Sequence, residues 1–103
     1  MSDAELIQQL EAEYDQNTGF IGRLRFGTFD DPGLTRVLDL LRKFEPTGSA
    51  LDRRLVALLW WMPWIIEWQS QRLARESRTA EAATIHRALE AIFKECERIL
   101  GIP

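Results

Sequence analysis

The sequence predicts an all-α fold: a small four-helix bundle around a central tryptophan-rich helix kinked at Pro63. Two observations carry this. Apolar residues recur at helical period in four stretches, and each stretch is bracketed by residues that start or stop helices. No internal repeat or low-complexity tract interrupts them. With 103 residues, residues 1–103 form one helical domain, and 46% hydrophobic residues suffice for an ordinary core.

The first helix is expected from Asp3 to Gln16. Ser2 followed by Glu5 has the spacing of a capping box, Leu6, Ile7, Leu10 and Tyr14 form the apolar stripe, and Asn17-Thr18-Gly19 is a stop. The second runs from Pro32 to Phe44. Asp31 is its N-cap, Pro32 occupies the tolerant first position, and Leu34, Val37, Leu38, Leu41 and Phe44 face inward. Ser49, with Asp52 three residues on, opens the third helix, Ala50 to Glu76, in which Pro63 removes one backbone bond and bends the chain. The fourth runs from Ala80 to Leu100, capped by Thr79 and closed by Gly101. Its stripe of Ile85, Leu89, Ile92, Phe93, Cys96, Ile99 and Leu100 spans an arc of about 120°, with Glu90, Lys94 and Arg98 turned to water.

Between the first two helices, GFIGRLRFGTFDD (residues 19–31) lacks a sustained helical period and exceeds the roughly 2 to 8 residues usual for a bundle connection. Two readings stand. Phe20, Phe26 and Phe29 plug one end of the bundle, or they anchor a binding loop that presents Arg23 and Arg25.

The third helix is apolar on two sides. With Leu55 at 0°, Leu51, Leu58, Leu59, Met62 and Ile66 lie within about 60° of it, whereas Trp60, Trp61, Trp64 and Trp68 lie between about 140° and 240°. If the first helix and the phenylalanine-rich stretch cover the indoles, they are core. If not, they mark an interface with a partner helix, a second copy or a membrane surface. A membrane surface fits least, because the middle of this helix has no Lys/Arg-rich polar face. The longest apolar run, Leu55 to Ile66, is too short for the about 20 residues of a membrane span.

Charge is unevenly placed. Met1 to Asn17 holds Asp3, Glu5, Glu11, Glu13 and Asp15 with no base, which leaves the rest of the chain at +2 against an overall −3. The acidic opening is unlike a signal or transit peptide, so a cytoplasmic protein is expected. A net negative chain argues against nucleic acid as partner. The acidic face is either a solubilising surface or one that steers a basic protein.

Little points to catalysis. His86 is the only histidine and has only Glu90 one turn away, short of the three or four ligands of a metal site. Cys96 lies about 80° around the helix and roughly 15 Å from His86, so the two form no dyad within it. No phosphate loop, nucleophile elbow or apolar carboxylate pair is present, and no cofactor or metal is expected.

The segments GFIGRLRFGTFDDPGL, SALDRRLVALLWWMPWIIEWQ and ERILGIP look like those of small bacterial proteins. In size, acidity and helical content the whole chain is similar to immunity proteins of bacterial toxin-immunity systems. That resemblance implies a module that binds and neutralises a cognate toxin domain. In it Glu5, Glu11 and Asp15 steer the partner, Trp64 and Trp68 anchor it, and Arg23 and Arg25 are the next contacts. The alternative is a self-associating adaptor whose tryptophan face closes a homodimer.

Overall fold

The computed structural model describes residues 1–48 and 50–102, and five helices occupy them: α1 (Asp3–Glu13), α2 (Phe20–Arg25), α3 (Asp31–Lys43), α4 (Arg53–Arg75) and α5 (Thr79–Leu100). The expected four become five because residues 19–31 contain a helix of their own. Two glycines make α2 possible through close approach. A Cβ on Gly22 would collide with the Asp15 and Tyr14 carbonyl oxygens, and one on Gly19 with the Glu13 backbone. The short helix therefore lies directly on the end of α1.

A buried carboxylate joins the first three helices. Glu13, one of the five acids of the expected acidic face, is instead turned inward and only 5% exposed. Its Oε1 accepts from the Phe20 amide at 2.9 Å, at the start of α2, while Arg36 of α3 donates to both oxygens through Nε and one terminal nitrogen. The forked pairing meets the demand that a carboxylate leaving water be fully hydrogen-bonded.

The Ser2–Glu5 capping box forms as expected. The other starts differ. Asp30, not Asp31, is the N-cap of α3, and its carboxylate pairs with Arg23 at 3.1 Å. Ser49 lies outside the described residues, and Asp52 caps α4 by accepting from the Arg54 amide at 2.8 Å. Thr79 is inside α5, with Arg78 at the cap position. The α4–α5 connection closes through Ser77, whose φ of 62° is left-handed. Arg78 N–H returns to Leu73 O and Ser77 N–H to Ala74 O, the paired bonds of a Schellman turn.

α4 continues through Pro63 and packs against α5 on one flank and α1 and α2 on the other. Its aliphatic face, Leu55, Leu58, Leu59, Met62 and Ile66, is buried as expected. Arg98 of α5, exposed as expected, reaches back to the end of α3: one terminal nitrogen donates to the Leu41 and Phe44 carbonyls at 2.8 and 3.0 Å, completing the C-terminus of that helix. No helix among the described residues is long and apolar enough to cross a membrane.

Candidate functional site: the tryptophan face of α4

The indoles stand on the outside. Trp60, Trp61, Trp64 and Trp68 are between 44% and 50% exposed, so neither α1 nor residues 19–31 cover them. Of the phenylalanines expected to do so, Phe20 is buried, Phe29 packs edge-on against it at 5.9 Å, and Phe26 is 72% exposed.

The four rings make a closed circuit. Ring centroids are 5.0 Å apart for Trp60–Trp61, 5.8 Å for Trp60–Trp64, 6.2 Å for Trp61–Trp68 and 6.4 Å for Trp64–Trp68, with tilted or edge-on planes. These are favourable aromatic geometries, and each ring restrains its neighbours. The result is a preordered apolar ridge, unlike the mobile surface that four isolated side chains would give.

Two grooves flank the ridge, and they differ in charge. On the α1/α2 side a groove of about 550 Å³ runs past Trp61 and Trp68 and is edged by Arg25, Arg54, Glu11 and Gln69. On the α5 side a groove of about 610 Å³ runs past Trp60 and Trp64, floored by Leu89, Phe93 and Leu100. The charged residues lining the second groove are Glu67, Glu90 and Glu97. Phe93, expected in the core, is 49% exposed and belongs to this groove.

The other expected contact residues are dispersed. Glu5 is committed to the α1 cap, where the Ser2 amide and hydroxyl hold its carboxyl below the usual range. Asp15 accepts from the Asn17 and Thr18 amides, which lower its pKa likewise and close the turn after α1. Glu11 meets Arg54 at 3.2 Å. All three acids are exposed. Arg23 is bound to Asp30, whereas Arg25 is exposed on the groove beside Trp68. Of the seven expected residues, the structure gathers Glu11, Arg25, Trp64 and Trp68 at the ridge and its grooves and leaves Glu5, Asp15 and Arg23 away from it.

His86 meets Glu90 at 3.2 Å on the exposed side of α5, and among the described residues no three His, Cys, Asp or Glu side chains group as metal ligands. Cys96 is buried as expected, and burial pushes its thiol up to about 12, with Glu95 adding to the shift. Such a thiol is a poor nucleophile. The chain matches no family model, no curated protein and no solved structure at a significant level.

Proposed function

We propose that the protein is a non-catalytic protein-binding module whose contact surface is the tryptophan face of α4. The observation that carries this reading is the closed circuit of four half-exposed indoles. Each leaves on the order of 100 Å² of aromatic surface open, and together with Phe93 they approach the largest apolar patches found on monomers. Tryptophan is also the residue most enriched where binding energy concentrates.

Where the partner is another protein rather than a second copy, the likeness to immunity proteins makes it a toxin domain, bound and neutralised in the cytoplasm. Trp64 and Trp68 support that version more than the acidic residues do, because Glu5 and Asp15 already serve the ends of α1.

The test is affinity purification of the tagged chain and of its Trp64→Ser/Trp68→Ser variant at moderate salt, with co-eluting proteins identified by mass spectrometry. A stoichiometric partner, another protein or an untagged copy, is expected with the wild type and lost with the variant, while the variant keeps its helicity and melting temperature. A partner retained equally by both places the contact surface elsewhere.

A further inference from the structure

We propose that the occupant of the tryptophan face is a second copy of the chain, with the two α4 helices parallel about a two-fold axis running along the ridge. This rests on the reading of that face as a contact surface and names its partner.

The argument is one of symmetry and charge. A two-fold axis along the ridge exchanges left and right but keeps position along the helix. The α1/α2 groove of one copy therefore meets the α5 groove of the other at the same level. The first groove carries Arg25 and Arg54 against the single acid Glu11, and the charged residues lining the second are Glu67, Glu90 and Glu97.

The levels agree. Ser70 donates to the Ala82 carbonyl at 3.2 Å and fixes the register of the antiparallel α4 and α5. Counted from that bond, Glu97 lies level with Leu55, beside Arg54. Gln69 donates to the Arg25 carbonyl at 3.0 Å, which sets Arg25 about half a helical turn from the level of Glu67. Parallel pairing thus brings Arg54 against Glu97 and Arg25 against Glu67, twice over. Arg54 already spends Nε on Glu11, but its guanidinium has further N–H groups to give. Antiparallel pairing turns the axis across the ridge and sets each groove against its own copy, glutamates facing glutamates, which is repulsive.

The area is also of the right order. Two sets of indoles contribute roughly 800 Å², and Phe93 with the groove walls brings the total toward the about 1,200 Å² at which stable interfaces begin.

Sedimentation equilibrium on the full chain tests the proposal with four samples: wild type, Arg25→Glu/Arg54→Glu, Glu67→Arg/Glu97→Arg, and an equal mixture of the two variants. The wild type is expected to dimerise, each variant alone to dimerise at least about tenfold more weakly, and the mixture to recover a mixed dimer, because only unlike variants present opposite charges at both contacts. If a double variant melts early, Arg25→Glu and Glu67→Arg serve alone, since neither side chain is ion-paired among the described residues. A wild type that stays monomeric overturns the second copy as partner while leaving the purification test of the contact surface standing. A dimer indifferent to the charge reversals, or a mixture that fails to recover, overturns the parallel arrangement.

Discussion

The Tyr14 hydroxyl donates to the Leu58 carbonyl at 2.6 Å, tying the end of α1 to the turn of α4 that precedes Pro63. Burial, the largest cause, pushes the phenol well above its ordinary range. Tyr14 also lines the groove beside Trp61 and Trp68, so this bond sets where the α1 flank stands relative to the ridge. Tyr14→Phe keeps the ring and loses the bond. Chemical denaturation is expected to show a loss of about 1 kcal/mol, and an unchanged midpoint would mean the bond holds nothing.

Glu13 and Gly22 are the points at which residues 19–31 are fixed. Glu13→Gln keeps the size of the side chain but removes the charge that Arg36 grips. A loss of about 2 kcal/mol is expected, below the range for a fully buried pair because Arg36 is half exposed. Gly22→Ala drives a methyl group into the end of α1 and should cost about 1–3 kcal/mol. Thermal melts of the two variants check both values.

Ser77 occupies a left-handed conformation that glycine adopts without a Cβ penalty. Ser77→Gly is therefore expected to raise stability by about 0.5 kcal/mol, less than the full strain because the unfolded chain gains freedom as well. A lower melting temperature would show that the serine side chain stabilises the turn.

Stability should fall at both ends of the pH range. Glu5 and Asp15 have folded pKa values below their ordinary 4.5 and 3.8. Their contribution is present above those values and is lost as pH drops through the lower folded ones. Cys96 moves the other way, from 9.0 to about 12 in the fold. Between those two values the unfolded chain ionises the thiol and the folded chain does not, so stability declines as pH rises. Cys96→Ala should flatten that alkaline limb in melts taken across it, and an unchanged slope would assign the decline to other groups.

The long helices were legible because their stripes and caps are local. The Ser2–Glu5 box, the aliphatic face of α4 and the buried Cys96 follow from spacing alone. α2 was hidden because Gly19 and Gly22 read as loop punctuation, whereas they serve close packing against α1. Phe93 lies about 80° from the middle of the buried arc of α5. Its place at the edge of an apolar stripe wider than the core needed was the available signal that α5 helps form a groove. The openness of the tryptophan face depends on which elements stand beside α4, a tertiary fact that periodicity along one helix does not contain.

The most direct measurement is acrylamide quenching of the intrinsic tryptophan fluorescence, titrated from submicromolar to high protein concentration. With the indole circuit as an open ridge that a second copy covers, emission is red-shifted and strongly quenched in dilute solution, and both effects diminish as concentration rises. Blue-shifted emission that resists quenching at a concentration where sedimentation shows a monomer would contradict the account, because it would put the four indoles in the core of the monomer.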